Sequence, residues 1–384
     1  MEFGWAKDEI NYRSDLRAFL AEWAPKDWWN HPMRRHAGST EFEEDQCRRI
    51  VTELAARGWL VPNWPSEYGG GDANEWHHLI LTEEMARIGE VRGPAYMNAN
   101  WIGPAIIAAG TEQQKAYHLP RMRAGDVYWC QGFSEPDAGS DLTSLRTTAI
   151  RDGDDYVVNG SKVWVSHTQM ADFCFLLVRT NPATADKSGI SVLLVPTDTP
   201  GFTIRPIPNF AETVGWGELF FTDMRVPVSC RLGPENEGWS VVRDALKNER
   251  LGADLVARAA FTLECLARWA RSNGRLTSGD FAAGFGHAFA SCQVAFLMTY
   301  KVIDALARGA NQNYAEAYAA RVCAVRAERD VAELAFRVMG IEAVGHRSIA
   351  EAIFRDSLIS GFGAGAYEIQ LNLIARQLLK LPRS

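Results

Sequence analysis

A single acidic residue interrupts an apolar pattern in the C-terminal third of the chain. Glu249 has helical spacing, alternately three and four residues, to the apolar residues Val242, Leu246, Ala253, Val256 and Ala260. Burying a carboxylate costs free energy unless it is paired or its pKa is raised. The pattern therefore has two interpretations: a structural ion pair with an Arg of a neighbouring helix, or a general base in an apolar site.

Charge and the spacing of potential ligands exclude several other kinds of site. The chain has 384 residues, with 40 basic and 47 acidic side chains and a net charge of −7, which argues against a nucleic-acid partner. The eight His show no HExxH motif or other metal-ligand spacing. We therefore expect no protein-bound metal.

The cysteines and the apolar segments indicate the compartment. Seven Cys are scattered singly without a CxxC motif, which is typical of reduced core thiols. The N-terminus has no apolar signal-peptide segment, and no uninterrupted apolar run reaches the ~18–20 residues that span a bilayer. We expect a cytoplasmic protein without a membrane span.

Three regions of different pattern must position the candidate base. Residues 1–125 are predicted to be helical, residues 126–235 form a β domain, and residues 236–384 form a helical domain. Within the β domain, Asn159-Gly160 between two apolar runs predicts a hairpin turn, and short strands are predicted over 173–179, 190–195, 202–207 and 219–226. The predicted class is α+β with a small antiparallel barrel or sandwich.

The C-terminal domain is predicted to be a four-helix bundle. Its four long segments are predicted at 239–272, 280–309, 314–339 and 348–379, with glycines at the breaks.

Two tracts of the β domain carry a family resemblance. The tract at 130–142 (CQGFSEPDAGSDL), followed by 152–164 (DGDDYVVNGSKVW), resembles the acyl-CoA dehydrogenase family. Further matches occur at 64–70 (WPSEYGG) and 110–115 (GTEQQK), so the resemblance covers nearly the whole chain. It implies N-terminal helices, a central β domain and a C-terminal four-helix bundle.

The resemblance also implies FAD as the cofactor. Phe133, Ser134 and Ser140 occupy the tract that, in the family, binds the flavin and lines the path of the substrate's pantetheine. Trp164 corresponds to an aromatic residue against the isoalloxazine, and Ser166 to a flavin-contacting hydroxyl. A flat apolar ring shields a flavin from water, while small polar groups satisfy its edge.

The catalytic positions follow from the same resemblance, with one departure. Many members carry their catalytic Glu just before a Gly near the chain end, where this sequence has Ala364. Others carry it on the first bundle helix before an Arg, which corresponds here to Glu249 and Arg250. The resemblance thus assigns Glu249 as base, Arg250 as a substrate-site residue and the amide of Ala364 as a donor to the thioester oxygen. Glu368 matches neither base position and is interpreted as structural.

The implied reaction is α,β-dehydrogenation of an acyl-CoA thioester to the trans-2-enoyl-CoA, with electrons passed to an electron-transfer flavoprotein. A flavin oxidase or monooxygenase on the same fold, and a catalytically silent partner subunit, remain alternatives. The sequences at 129–134 and 248–250 look most like those of bacterial members such as the large subunit of pimeloyl-CoA dehydrogenase and the steroid side-chain dehydrogenases. This similarity points to a dicarboxylic, branched or ring-bearing acyl group.

The sequence at residues 271–275 is relevant to whether the protein forms a homotetramer or a heterotetramer. Homotetrameric members carry an Arg-x-x-Phe-Gly motif there, whose Arg reaches the FAD pyrophosphate of a neighbouring subunit. The motif is absent here, although Arg271 or Arg275 could substitute for its cation. We expect either a homotetramer or an α2β2 heterotetramer in which a related chain supplies the Arg, and favour the heterotetramer narrowly.

Overall fold

The structure is a computed structural model that describes residues 5–23, 41–184, 186–208, 215–245, 252–276, 279–310, 314–345, 348–363 and 365–382. The chain divides into two compact units. The described parts of residues 36–71 and 92–248 are called the sheet unit. The described parts of residues 1–35, 72–91 and 249–384 are called the helical unit.

The sheet unit is built on one eight-stranded sheet. Its strands are β1 (Trp129–Gly132), β2 (Thr148–Asp152), β3 (Asp155–Ser166), β4 (Phe173–Arg179), β5 (Ile190–Pro196), β6 (Phe202–Ile207), β7 (Trp216–Pro227) and β8 (Arg231–Leu232). The order is β6-β7-β3-β2-β4-β5-β8, and β1 pairs with β4. Pairing is mostly antiparallel, but β4 is parallel to β1 and β2. Every residue of β4 is buried, which is typical of a strand covered on both faces.

Helices of the same unit pack beside this sheet. They are α2 (Glu41–Ala56), α4 (Ala95–Met97), α5 (Gly103–Ala109), α6 (Glu112–Ala124) and α7 (Gly238–Ala245), with a π-helix at Asn98–Ile102. A capping box of Thr111 and Gln114 starts α6. Gln114 also donates to the carbonyls of Ser229 and Arg231, so the 110–115 motif fastens α6 to the segment that contains β8.

The predicted turn at Asn159-Gly160 is wrong. Both residues lie inside the continuous strand β3, where the pairing shifts because Thr222 and Asp223 of β7 together oppose Asn159, a β-bulge in β7. Asn159 donates its side-chain amide to the Asp223 carboxylate at 3.1 Å and accepts from the Asp223 N–H at 2.9 Å. Gly160 has φ +144°, so the conformational freedom that suggested a turn serves the bulge. The hairpin turn lies between β2 and β3, where Gly153 has φ +63°.

The helical unit is arranged around one central helix. It contains α1 (Lys7–Trp23), α3 (Glu75–Arg87), α8 (Ala253–Ser272), α9 (Gly279–Ala307), α10 (Tyr314–Met339), α11 (Ile349–Ile359) and α12 (Tyr367–Gln377). The central helix is α10, which packs against α8, α9, α11 and α12. The predicted segments 280–309 and 314–339 correspond closely to α9 and α10.

The other two long C-terminal segments are divided. The segment 348–379 forms α11 and α12 with an irregular turn between them. The segment 239–272 is not one continuous helix, because Gly252, directly before α8, has φ +71°, outside the helical region. The helical spacing that relates position 249 to Ala253, Val256 and Ala260 in the sequence is therefore interrupted at Gly252. Glu249 itself lies outside the described residues, and its assignment now rests on the family resemblance.

One helix of the bundle exposes an apolar stripe. By length and composition alone, α9 could cross a membrane, which the sequence had not led us to expect. A bundle helix also passes this test, and α9 packs against α8 and α10. Its other side is exposed and is called the outer face of α9. The outer face consists of Ala282, Ala283, Gly286, His287, Phe289, Ala290, Gln293, Val294 and Leu297.

Gly160, beside the bulge in β7, generates a first prediction. A Cβ on Gly160 would lie 2.7 Å from Cα of Thr147, and its positive φ disfavours any side chain. We expect Gly160→Ala to lower the free energy of unfolding by about 2 kcal/mol or more. Gly153→Ala is the matched control, since it has positive φ but no atom within 4 Å, and we expect a loss of about 1 kcal/mol. Equal shifts in the thermal unfolding midpoint would contradict this packing argument.

Candidate active site

A buried ion pair joins β3 to the tract at 130–142, which carries the family resemblance. Lys162 of β3 is fully buried, and its ammonium donates to the carboxylate of Glu135 at 2.8 Å. The same carboxylate accepts from the backbone N–H groups of Arg146 and Thr147, at 2.6 and 2.9 Å. Burial lowers the pKa of Lys162 to about 8, against the opposing effect of Glu135. Burial acts to raise the pKa of Glu135, but Lys162 and the hydrogen bonds outweigh it, so this pKa is lowered.

The ion pair brings predicted cofactor residues together. Lys162 also donates to the carbonyl of Phe133 at 3.0 Å, and the next backbone N–H, of Val163, donates to the carbonyl of Ser134 at 2.8 Å. Trp164 follows directly on β3. The loop at 133–134 and the strand segment before Trp164 are therefore fixed to each other. The ring of Phe133 packs against Phe175 in the core, with centroids 5.8 Å apart. The predicted cofactor role of Phe133 stays a prediction.

A second bulge, in β3, presents Trp164. Val163 and Trp164 together oppose the single residue Glu218 of β7, and Trp164 has φ +61°. Its indole is 62% exposed, although Trp usually buries most of its surface. It contacts Trp216 edge-on, with centroids 6.1 Å apart. The bulge thus aims a large flat ring out of the sheet.

The end of β3 adds a hydroxyl and a buried imidazole. Ser166 is half-buried at the strand end, and His167 follows with φ +61°. Burial lowers the pKa of His167 to about 4, so its ring is neutral at physiological pH. Sequence reasoning missed His167 and the Lys162–Glu135 pair, because neither belongs to a chemical motif with recognisable spacing.

These residues fit a flavin. Among the residues that the structure describes, the hydroxyls of Ser134 and Ser166 form no hydrogen bond, and each is partly accessible near the exposed Trp164 in the fold. An exposed indole with unpaired hydroxyls matches a heteroaromatic ring that needs an apolar face and polar edge partners. Ser140 is exposed further along the loop, and no described contact joins it to the other four.

Arg179 holds the loop that follows Ser140. Its guanidinium is almost fully buried and donates to the carbonyls of Thr143 and Leu145 at 2.6 and 2.9 Å. It also donates to the carbonyls of Thr184 and Asp186. These main-chain acceptors lie in irregular backbone without ladder partners, so one cation satisfies several of them.

In the helical unit, the turn between α11 and α12 is equally well fixed. The backbone N–H of Tyr367 donates to the carbonyl of Gly361 at 2.8 Å, and the side chain of Gln370 donates to the carbonyl of Gly365 at 2.7 Å. Gln370 belongs to the Glu368-Ile-Gln370 sequence of the family resemblance, which thereby acquires a structural reason. Glu368 is exposed in the first turn of α12, and its structural interpretation stays a prediction.

Two buried arginines converge on Ser360 at the start of this turn. Arg258 of α8 donates to Glu328 at 2.8 Å and lies 3.4 Å from the Ser360 hydroxyl. Burial acts to lower the pKa of Arg258, but Glu328, Asp356 and Asp254 outweigh it and raise the pKa. Arg321 of α10 donates to the carbonyl of Ser360 at 3.3 Å. Glu249, Arg250 and Ala364 lie outside the described residues, and their predicted roles stay predictions.

Comparison with known proteins identifies the family. The chain matches "Acyl-CoA dehydrogenase, N-terminal domain" over residues 8–126, "middle domain" over 130–224 and "C-terminal domain" over 236–379. It is 34% identical to acyl-CoA dehydrogenase FadE26 of Mycobacterium tuberculosis, with 100% of both chains covered. The chain belongs to the acyl-CoA dehydrogenase family, an oxidoreductase family whose members are FAD-dependent flavoproteins. The predicted family, fold and cofactor are confirmed.

Two solved structures are similar over the whole chain. One is described as "Tcur3481-Tcur3483 steroid ACAD", with 30% identity and a TM-score of 0.91. The other is the ChsE4-ChsE5 complex from Mycobacterium tuberculosis, with 33% identity and a TM-score of 0.89. In both comparisons 100% of each chain is covered.

The ion pair generates the second prediction. Lys162→Met leaves the Glu135 carboxylate buried without its cation, which should lower the free energy of unfolding by about 3–5 kcal/mol. FAD content should fall as well, because the loop at 133–134 loses its attachment to β3. The measurements are the thermal unfolding midpoint and the FAD-to-protein ratio.

The control is the double variant Lys162→Met/Glu135→Gln. It removes both charges and should recover part of the lost stability, since no uncompensated charge stays buried. A double variant that is less stable than Lys162→Met would show that the pair does not act as a unit.

Proposed function

We propose that this protein catalyses FAD-dependent α,β-dehydrogenation of an acyl-CoA thioester to the trans-2-enoyl-CoA. Electrons then pass to an electron-transfer flavoprotein, in the cytoplasm. The observation that carries the proposal is the exposed Trp164 beside the loop at 133–134, held there by the buried Lys162–Glu135 pair. FAD supplies the acceptor for the β-hydrogen, which leaves as hydride.

In this proposal the chain's own residues bind the cofactor and move the proton. Trp164 covers an apolar face of the ring, and the Ser134 and Ser166 hydroxyls serve its polar edge. Glu249 removes the α-proton, and Arg250 and Ser140 line the substrate path. An α-proton beside a thioester is weakly acidic, so charge developing on the carbonyl oxygen must be stabilised. The backbone N–H of Ala364 is the proposed donor to that oxygen.

For the substrate, we propose a ring-bearing or branched acyl group of the steroid side-chain type. The name of one structural relative contains the words "steroid ACAD", which supports this class over a straight fatty acyl chain. A panel of straight, dicarboxylic, branched and steroid acyl-CoA thioesters tests the proposal through anaerobic flavin bleaching. Fastest bleaching by a straight-chain thioester would contradict it.

The third prediction tests the proposed base. On the FAD-loaded enzyme, Glu249→Gln conserves shape and removes basicity, so flavin reduction by acyl-CoA should slow by about 10²–10⁴-fold while FAD content stays unchanged. The matched control is Glu368→Gln, which neutralises an exposed carboxylate of α12 and should reduce at the wild-type rate. Near wild-type reduction by Glu249→Gln would refute the base assignment.

The same preparation separates the alternative functions. Turnover with electron-transfer flavoprotein but not with oxygen supports the dehydrogenase. Rapid turnover with oxygen would indicate an oxidase or monooxygenase, and bound FAD that no acyl-CoA bleaches would indicate a silent subunit.

For the assembly, we propose that a second, related acyl-CoA dehydrogenase chain covers the outer face of α9. Three of its residues, Phe289, Val294 and Leu297, are each at least 50% exposed, and the face includes no Asp, Glu, Lys or Arg, which is typical of an interaction surface. Both structural relatives carry names that join two proteins, in keeping with a partner of this kind. The partner would supply the Arg of the Arg-x-x-Phe-Gly motif, which is absent from the segment at 271–275.

The fourth prediction concerns this assembly. The chain purified alone should contain well below one FAD per chain and should self-associate through its uncovered apolar face. Phe289→Glu should shift it towards the monomer, whereas Ile150→Glu, at an exposed apolar position of β2, should not. Mass and FAD content are measured together. A stable homotetramer with one FAD per chain and full turnover would refute the heteromeric assembly.

A further inference from the structure

Arg321 is a buried cation directed at backbone carbonyls. It lies on α10, and only 4% of its side chain is exposed. One terminal nitrogen donates to the carbonyls of Ser360 and Gly363, each at 3.3 Å. The described carboxylate of Asp254 is 3.8 Å from the other terminal nitrogen, beyond hydrogen-bond distance. The described contacts of this guanidinium are therefore mainly with the main chain of the turn between α11 and α12.

The carbonyl of Gly363 has a special place in the covalent chain. It belongs to the same peptide unit as the backbone N–H of the next residue, which the proposed function assigns to the thioester oxygen. A peptide unit is planar, so a donor that fixes the carbonyl also restricts the direction of that N–H. A cation at the carbonyl also polarises the unit and makes its N–H a stronger donor.

The opposite side of Arg321 meets the start of α8. Gly252, with φ +71°, approaches α10 so closely that a Cβ would lie 3.0 Å from Cδ of Arg321 and 3.0 Å from Cβ of Ala324. Gly252 follows the proposed base by three residues in sequence. The Arg321 side chain thus packs between Gly252, which follows the proposed base in sequence, and Gly363, whose peptide unit contains the proposed donor N–H.

We propose that Arg321 is a positioning residue for the dehydrogenation. It fixes and polarises the peptide unit that stabilises charge on the thioester oxygen, and Gly252 permits the close approach that this requires. The proposal rests on the function proposed above and adds a residue that acts through the main chain.

The test compares Arg321→Met and Arg321→Lys with Arg326→Met in the FAD-loaded enzyme, in its native assembly. Arg326 lies on the same helix but is exposed, and it donates to the hydroxyl of Tyr367. We expect Arg321→Met to slow flavin reduction per bound FAD about tenfold or more at saturating acyl-CoA. Arg321→Lys keeps a cationic donor and should recover part of the rate, and Arg326→Met should keep the wild-type rate.

A second readout does not depend on activity. Amide hydrogen exchange over 361–366 should accelerate in Arg321→Met and stay unchanged in Arg326→Met, with or without substrate. The substrate isotope effect for α-deuterium should rise in Arg321→Met, because proton removal becomes more limiting. A purely structural role would lower the thermal midpoint without changing the rate per bound FAD.

Gly252→Ala displaces the Arg321 side chain without replacing it, because the new Cβ would lie 3.0 Å from Cδ of Arg321. This variant therefore provides the test if Arg321→Met does not fold. It should reproduce the slower reduction, and the double variant Gly252→Ala/Arg321→Met should be no slower than the worse single variant. An unchanged rate per FAD in both Arg321→Lys and Gly252→Ala, or an equal loss in Arg326→Met, overturns the proposal. If Glu249→Gln is inactive while the Arg321 variants are fully active, only the Arg321 role has failed. If Glu249→Gln reduces its flavin normally, the proposed base has failed.

Discussion

The candidate site depends on one buried ion pair. The loop from Phe133 to Thr147 is mostly irregular, so it has few ladder hydrogen bonds to define its course. Glu135 and Lys162 define it instead, because the carboxylate gathers the N–H groups of Arg146 and Thr147 while the ammonium binds the carbonyl of Phe133. A buried pair contributes little net stability over an apolar replacement, but it tolerates only one arrangement of its partners. Its value here is geometric, since that arrangement sets the cofactor-facing loop against the strand that carries Trp164.

Buried cations also fix irregular backbone at two other places. Arg179 binds four loop carbonyls in the sheet unit, and Arg321 binds two in the helical unit. Irregular backbone leaves acceptors without partners, and a guanidinium offers five donors in a rigid plane. In each case a regular element carries the cation, so a strand or helix dictates the shape of a neighbouring loop. This arrangement lets loops near the candidate site be ordered without secondary structure of their own.

The sequence was sufficient for regular elements and for the family, and insufficient where backbone geometry departs from its local pattern. Strands β4 to β7 and helices α9 and α10 follow from apolar runs, because burial dictates their composition. Asn159-Gly160 favours a turn in isolation, but pairing with β7 keeps it in an extended strand, opposite a bulge of β7. Likewise, Gly252 ends the helical phase on which the burial of Glu249 was argued. The Lys162–Glu135 pair joins residues 27 positions apart, and only the fold brings them together.

The bulge at Asn159 has a consequence for chemical ageing. In a flexible chain an Asn followed by Gly deamidates readily, because the Gly nitrogen can reach the carbonyl carbon of the Asn side chain. Here the extended strand fixes the backbone, and both polar atoms of the Asn159 side chain are engaged by Asp223. The folded sheet therefore protects a dipeptide that is labile when unfolded. Aspartate or isoaspartate accumulating at position 159 would mark molecules in which β3 and β7 have separated, so an aged sample carries a covalent record of its own unfolding.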